Sequence, residues 1–487
     1  MASKSKFPFA LLILLATALS ALGWWFGTQF HPLWWAAWLA PLPILWLATR
    51  VRAPWAALAA FAAVAIGDIP RWNFGRAYLL MPVMPTLFMM LAPAVIFALA
   101  VMLYRRLAMR GQHVAAMFAV PVVIVALYYI HAATSLDGAA GDIGYTQMNA
   151  LAVIQIAALT GVAGVSFLVM LGPACVAMLC HASAPRSTRL RIGLVGGGLV
   201  VLALAFGVWR LLAVPADSGT PVKIGLVSLD NADPLLSPTS AKGEKLMQRY
   251  VEAISNMAAH GAWYVMIPED TWVVSQADVP ELHALAAREG VTVITGVDYK
   301  PQDKPERNML LAFHPHGGTP SIYMKHHLVP GQERRYTPWD GYTMLSQSPD
   351  IGLAICKDMD FPAMGRAYAA RGAQLLFVPA WDFTLDDWQH SRQAIMRGVE
   401  SGFAIARVAR NGRLTLTDDR GRVLDEANSA RNDAQLMGTL WLRHTHTLYA
   451  RWGDWFAWLD LIALVWLMVL AWSRSRGANP VVRPQHA

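Results

Sequence analysis

The sequence predicts an α-helical membrane domain joined to an α/β domain, and three observations predict it. Of 487 residues, 55% are hydrophobic and only 15% are charged, with 20 Trp, 22 Met and a mean hydropathy of +0.37. That balance belongs to polytopic membrane proteins rather than soluble ones. Apolar runs of about 20 residues, the length that crosses a hydrocarbon core, recur up to residue 214 and once more near the end. Between them, over 221–450, short β-like runs alternate with helical patterns, the signature of an α/β unit.

The candidate spans are 8–27, 33–49, 54–70, 84–104, 114–132, 149–180, 192–214 and 455–473. They give a membrane domain over 1–214, an α/β domain over 221–450, a C-terminal membrane helix over 455–473 and a cytoplasmic tail, expected to be disordered, over 474–487. The start, Met1 to Gly23, could pass for a signal peptide, but the spans that follow at once favour an uncleaved first helix. The sixth span holds Gly161, Gly164, Gly172 and Pro173 and is expected to tilt or break.

Basic residues orient the spans. Lys4, Lys6, Arg50, Arg52, Arg105, Arg106, Arg110, Arg186, Arg189, Arg191, Arg474, Arg476 and Arg483 fall on one side when eight spans alternate. Loops rich in Lys and Arg stay cytoplasmic, so the α/β domain is expected outside. On the outer side only the loop with Arg71 and Arg76 is basic, and it mixes these cations with aromatics. It reads as an interfacial anchor or as a contact for a phospholipid head group, because Arg pairs well with phosphate.

The net charge of +8 is accounted for by these loops. No basic stripe interleaved with aromatics points to nucleic acid. Cys175 and Cys180 lie in an apolar segment and Cys356 stands alone in the α/β region, so no disulfide framework is expected. His314-Pro-His316 and His444-Thr-His446 lack acid or thiol neighbours in a zinc-like pattern, and neither metal nor cofactor is expected.

Within the α/β region, strands are expected at 223–228, 263–268, 291–297, 309–314, 321–325, 352–355, 375–379, 403–408 and 414–417. Helices are expected near 241–259 and 279–288. Asp386 and Asp387 can cap a further helix that runs to Ser401 and stops at Gly402. Continuously apolar strands imply burial on both faces.

Three of these strands end in chemistry. Trp263-Tyr-Val-Met-Ile-Pro-Glu269 delivers a carboxylate, Ser321-Ile-Tyr-Met-Lys325 an amine, and Ile351-Gly-Leu-Ala-Ile-Cys356 a thiol. A thiol at a strand end has a fixed backbone and a side chain that reaches a cleft. Alone, each has an ordinary explanation: a Cys in an apolar run is usually core, and a Glu or Lys after a strand is usually solvated.

Their order and flanks change that balance. The region from about Lys223 to Leu442 resembles the nitrilase, or carbon–nitrogen hydrolase, superfamily, and within it the membrane branch of apolipoprotein N-acyltransferases. Pro268-Glu269 resembles that branch's Pro-Glu motif, and Tyr323-Met-Lys325-His-His-Leu-Val-Pro330 its Tyr-x-Lys-x-x-Leu-Val-Pro motif. Trp388-Gln389-His390, Met396-Arg397-x-x-Glu400 and Arg410-Asn411-Gly412 resemble downstream landmarks. Gly144-Tyr145-Thr146-Gln147 and the stretch from Leu159 to Phe167 resemble signatures of its membrane domain.

The resemblance implies a four-layer α-β-β-α sandwich. It implies Glu269 as base, Lys325 as oxyanion stabiliser and Cys356 as nucleophile, passing through a thioester. It also implies a phospholipid acyl donor, a lipoprotein acceptor acylated on the amine of its diacylglyceryl-cysteine, and a bacterial inner membrane with the α/β domain facing the periplasm. The protein is expected to act as a monomer. Glu333 falls at a second glutamate of the family; it orients Lys325 or the incoming nucleophile, or else pairs with Arg334 or Arg335. Asp358 is expected to orient backbone near the nucleophile rather than react.

The chain also departs from the family pattern. Cys-Tyr-Glu is Cys356-Lys357-Asp358, Pro-Phe-Gly-Glu is Pro330-Gly331-Gln332-Glu333, and the Asn-Asp-x-Trp-Phe loop is Pro379-Ala-Trp-Asp-Phe383. These changes leave open a membrane-tethered amidase or other hydrolase, or an N-acyltransferase with a different acceptor. A binding or scaffold protein is disfavoured by the presence of Glu269, Lys325 and Cys356 together.

Overall fold

The computed structural model describes residues 9–229 and 235–473. The basic residues expected at positions 4, 6, 474, 476 and 483, and the C-terminal tail, lie outside the described residues.

Among the described residues, six helices are long and apolar enough to cross a membrane: Phe9–Gly27, Val83–Met109, His113–Thr134, Val162–Leu179, Arg186–Leu212 and Trp455–Trp472. A seventh crossing results if the bent pair Ala53–Gly67 and Ile69–Tyr78 counts as one. One expectation needs correction. The predicted span 33–49 is two short helices, Trp34–Leu39 and Leu42–Ala48, separated at Ala40-Pro41. Pro41 lacks a backbone donor and stands at the start of the second helix, so the run is divided there. The predicted span 149–180, expected to tilt or break, is divided into Leu151–Ile154, Ala157–Thr160 and Val162–Leu179, with the last break at Gly161.

One end of the helical bundle gathers its cations. Arg105 donates to the carbonyl of Ala48, while Arg106 Nε and Arg110 Nη1 each donate to the carbonyl of Ala471 at 2.7 Å. The ends of three separate helices therefore meet on one face.

The α/β region forms two sheets. The first contains β1 (Thr220–Ser228), β2 (Tyr264–Met266), β3 (Trp272–Val274), β4 (Thr292–Tyr299), β5 (Arg307–Phe313), β6 (Ser321–Met324) and the last strand, β13 (Ala434–Leu442). Its order is β13-β1-β2-β4-β5-β6, with β3 also on β4. The second contains β7 (Thr343–Leu345), β8 (Ser348–Leu353), β9 (Leu375–Trp381), β10 (Ala404–Arg410), β11 (Arg413–Thr417) and β12 (Val423–Asn428), in the order β12-β11-β10-β9-β8-β7. The central strands β1, β2 and β4 run parallel, as do β8, β9 and β10. Strand β13 pairs antiparallel with β1 along its whole length, from Thr220 opposite Leu442 to Ser228 opposite Ala434.

Side-chain alternation builds the layers. Leu226, Met266, Ile294 and Leu310 point between the sheets and pack with Leu353, Leu376 and Ile405. Their neighbours Val227, Val265, Val293 and Leu311 point outward onto helices Ala241–Ala259 and Pro280–Glu289. Strands buried on both faces carry just such unbroken apolar runs. Helices Pro362–Ala369 and Asp387–Ser401 cover the second sheet, completing an α-β-β-α sandwich.

Helix Asp387–Ser401 also meets the membrane domain. Trp388, Ile395, Met396 and Val399 share a buried cluster with Tyr145, Met148, Ile154, Ala157 and Val165. Buried polar contacts lock the same joint: Arg397 pairs with Glu400 at 2.9 Å and donates to Tyr145 Oη at 2.7 Å, and Glu400 accepts from Val162 N at 2.7 Å. The helix ends at left-handed Gly402 as expected, but Asp386 does not cap it through its side chain. The Asp386 carboxylate pairs instead with His390, one turn on, at 2.9 Å.

Candidate active site

Each of the three reactive groups follows a strand. Strand β2 ends at Met266, and the chain turns at Pro268-Glu269-Asp270, with Asp270 at φ 49°. That turn lies directly on β4. A Cβ on Gly296 would come within 2.4 Å of the Glu269 Cα, so only glycine admits the approach. Lys325 is the first residue after β6, and its amide donates to the Asn308 carbonyl of neighbouring β5 at 2.8 Å. Cys356 follows β8 and opens a single turn of 3₁₀ helix, Cys356–Asp360. Its φ of 41° is uncommon for a residue with a side chain; such conformations persist where the surroundings enforce them.

The three meet around a small polar network. Lys325 Nζ donates to Glu269 Oε1 at 2.7 Å and to Glu333 Oε1 at 3.0 Å. Asn308 Nδ2 bridges the same two carboxylates, at 2.6 Å to Glu269 and 2.8 Å to Glu333. The other oxygen of Glu269 accepts from Trp381 N at 2.9 Å, and the Trp381 carbonyl lies 3.9 Å from Cys356 Sγ. One residue's backbone thus touches both the carboxylate and the thiol. The adjacent Asp382 is held by a fully buried, two-pronged pair with Arg407, at 2.6 and 2.8 Å. Glu269 and Lys325 are buried, whereas Cys356 is half-buried.

The sequence left Glu333 between two readings, one beside Lys325 and one beside the adjacent arginines. Its carboxylate faces Lys325, Asn308 and the Val329 amide, the last at 2.6 Å. Arg335 pairs instead with Asp298 at 3.1 Å. Asp358 faces two backbone amides and a tyrosine hydroxyl. It accepts from the Ile355 amide at 2.9 Å, the His327 amide at 2.8 Å and Tyr323 Oη at 2.7 Å. A single carboxylate therefore ties the residue before Cys356 to residues on either side of Lys325.

Burial governs the protonation of the network. It pushes the Glu269 carboxyl up, with help from the Glu333 charge and against the pull of Lys325. Burial, then the charges of Glu269 and Glu333, hold Asp270 well above the carboxylate range. The Cys356 thiol is raised well above its ordinary value by burial first and by Glu269 second. Burial opposes the charge on Lys325, but Glu269, Glu333 and Cys356 outweigh it and keep the amine protonated. At rest this is a neutral thiol beside a buried carboxyl group and a fixed cation. Carboxylate oxygens of Glu269, Asp270 and Glu333 lie within 4.8 Å of one another, a spacing that could suit a metal ion. The ammonium of Lys325 already sits on two of the three.

Arg71 and Arg76 stand elsewhere. Arg71 pairs with Asp68 at 3.3 Å and lines a cavity with Trp24, Tyr128, Tyr145 and Trp388. Arg76 is exposed and donates to the Met81 carbonyl. Among the described residues neither makes a hydrogen bond or ion pair with Glu269, Lys325 or Cys356. The sequence reading missed Asn308, the Trp381 amide and the Asp382–Arg407 pair. A polar residue opening the apolar run 309–314 was a usable signal for Asn308; a backbone amide leaves none.

A two-sheet sandwich with these groups at its strand ends, set on a helical membrane domain, defines a membrane-bound carbon–nitrogen hydrolase fold. Residues 234–439 match the carbon–nitrogen hydrolase family, and residues 20–175 match the apolipoprotein N-acyltransferase N-terminal domain. Both matches fall in one chain, which is similar along most of its length to apolipoprotein N-acyltransferases. The apolipoprotein N-acyltransferase of Haemophilus ducreyi is 24% identical over 491 residues, covering 91% of this chain and 93% of that protein. That of Geobacter metallireducens is 26% identical over 416 residues, or 78% of each chain. That of a Nostoc species is 26% identical over 324 residues, 60% of this chain, and the match spans 63% of the relative's own length.

Proposed function

We propose that this protein moves an acyl chain from a phospholipid, through a thioester on Cys356, to the N-terminal amine of the diacylglyceryl-cysteine of a lipoprotein. The observation that carries the reading is the meeting of Glu269, Lys325 and the half-buried Cys356 above a bundle of apolar helices. The relatives' shared name supports the choice of donor and acceptor.

In this reading Sγ of Cys356 attacks the ester carbonyl while Glu269 takes the thiol proton. Negative charge gathers on the carbonyl oxygen beside the Lys325 ammonium. A preorganised donor of this kind contributes about 3–4 kcal/mol to the transition state. Collapse breaks the ester bond, leaves the acyl group on sulfur, and returns the proton from Glu269 to the departing lysophospholipid. The lipoprotein amine then attacks the thioester, Glu269 accepts its proton, and the thiol is regenerated. Glu333 and Asn308 hold Lys325 and Glu269 in register throughout.

The domains are read as 1–214 for the membrane part, 221–450 for the catalytic part, 455–473 for the closing helix and 474–487 for the tail. The catalytic part faces the periplasm. The gathering of Arg105, Arg106 and Arg110 at one end of the bundle supports this, since such clusters stay cytoplasmic. The protein acts as a monomer.

The test uses purified protein in detergent, given phospholipid alone. An acyl mass should appear on Cys356 and leave on mild hydroxylamine treatment, which cleaves thioesters and spares amides. Cys356→Ala should carry no such mass with Cys175 and Cys180 intact. An unchanged adduct in Cys356→Ala removes the nucleophile assignment, and release of free fatty acid without transfer to an amine makes the protein a hydrolase.

A further inference from the structure

The turn that carries Cys356 is fastened from two directions. Asp358 fastens it to the α/β domain, as described above. The other fastening comes from the loop after membrane helix His113–Thr134. Lys357, directly after the nucleophile, donates from Nζ to Asp137 Oδ1 at 2.7 Å. The Lys357 side chain is only 9% exposed, although the Asp137 side chain is 53% exposed. The same loop donates from the Ala139 amide to the Asp360 carbonyl at 2.9 Å, at the far end of the turn. Gly138 makes that approach possible, because a Cβ there would lie 2.7 Å from the Asp360 carbonyl oxygen.

A buried ammonium needs a partner, since an unpaired charge in a dry site is costly. Asp360, on the turn itself, lies 3.6 Å from Lys357 Nζ, beyond hydrogen-bond reach. Asp360 is thus a longer ion-pair partner, and among the described residues the carboxylate hydrogen-bonded to Lys357 is Asp137, from the membrane domain. Cys356, meanwhile, holds a left-handed backbone conformation that its surroundings must enforce.

We propose that Asp137 is a positioning residue for Cys356, acting through Lys357: a loop of the membrane domain holds the turn that presents the nucleophile. The proposal rests on the reading of Cys356 as the acylated residue. It makes the catalytic centre complete only when the two domains are docked, and it couples the position of the thiol to the part of the protein that meets lipid.

The experiment follows the single-turnover rate of Cys356 acylation in the full-length protein, with phospholipid in detergent, by rapid quench and intact mass. Wild type comes first: no acyl-thioester there overturns the functional reading and leaves the variants nothing to position. With wild type active, Asp137→Asn should lower the maximal acylation rate roughly 10-fold, as a sub-ångström displacement of reacting atoms does. The phospholipid concentration at half-saturation should stay unchanged, because the lipid itself is not contacted. The double variant D137N/K357M should be no slower than the slower single variant, as expected when two residues act as one unit. A wild-type rate in folded D137N, or single effects that multiply in the double, overturns the proposal. Where a single variant does not fold, the exchanged pair D137K/K357D decides. Recovery to within about threefold of wild type supports the ion pair, and a folded exchanged pair without recovery overturns it.

Discussion

Asp358→Asn replaces a fully buried carboxylate with an amide of the same shape. The carboxylate accepts three close hydrogen bonds, from Tyr323 Oη and the Ile355 amide on Oδ2 and from the His327 amide on Oδ1, and the His327 ring nitrogen lies farther off, 3.3 Å from Oδ1. The amide has a single accepting oxygen. Its best orientation keeps that oxygen toward Tyr323 and Ile355 and turns its own NH₂ against the His327 N–H. One buried donor is then orphaned, at about 1–3 kcal/mol, and two charge-assisted bonds become neutral, at about 1 kcal/mol each. The total is about 3–5 kcal/mol, within a net stability of about 5–15 kcal/mol. The variant should fold, with a melting temperature lower by roughly 10 °C. Its larger effect falls on chemistry. Ile355 immediately precedes Cys356 and His327 lies two residues past Lys325, so loosening both lets thiol and amine drift apart. A displacement near 1 Å costs about 100-fold in rate. Thermal unfolding in detergent and the rate of acyl-thioester formation measure the two effects. A variant that acylates at the wild-type rate and melts with wild type would show that Asp358 does not hold the site together.

Glu269 must be ionised to act as base, and burial and the Glu333 charge raise its carboxyl above 4.5. Acylation should therefore fall as pH drops through that raised value, with the acid limb above the range of an ordinary glutamate. Glu333→Gln removes a like charge and should move the limb to lower pH; a limb that stays put or rises in the pH profile of kcat/KM contradicts the assignment. For topology, a phosphatase fused after Ser218 should be active and one fused after Arg110 inactive, and the reverse pattern would put the catalytic domain in the cytoplasm.

The parts legible in the sequence were those fixed by local pattern. Apolar runs ending in Glu269, Lys325 and Cys356 announced strand ends, and strand ends are where the structure brings these side chains together. Gly402 announced a helix stop because a left-handed terminus favours glycine. What escaped depends on contacts between residues distant in the chain. Strand β13 was missed because its residues are only partly buried, so its hydrophobic pattern is weak. Glu333 had adjacent arginines as plausible partners, and only the folded chain shows it turned toward Lys325. The Lys357–Asp137 pair joins residues 220 positions apart, with no periodicity to reveal it. The second apolar run was long enough on paper; Pro41 divides it.

The pairing of β1 with β13 sets a timetable for synthesis. The first strand of the catalytic sandwich receives its edge partner only when roughly 200 further residues have been made, which at 5–20 residues per second takes about 10–40 s. During that interval β1 can pair with β2 on one side, while its other edge offers unpaired amides and carbonyls to any passing strand. An export or folding factor that covers that edge has a defined period of work, ending when Ala434–Leu442 arrives. The same pairing puts Thr220 beside Leu442, so the chain enters and leaves the sandwich at one corner. A unit with adjacent ends can be set between two membrane helices without forcing them apart.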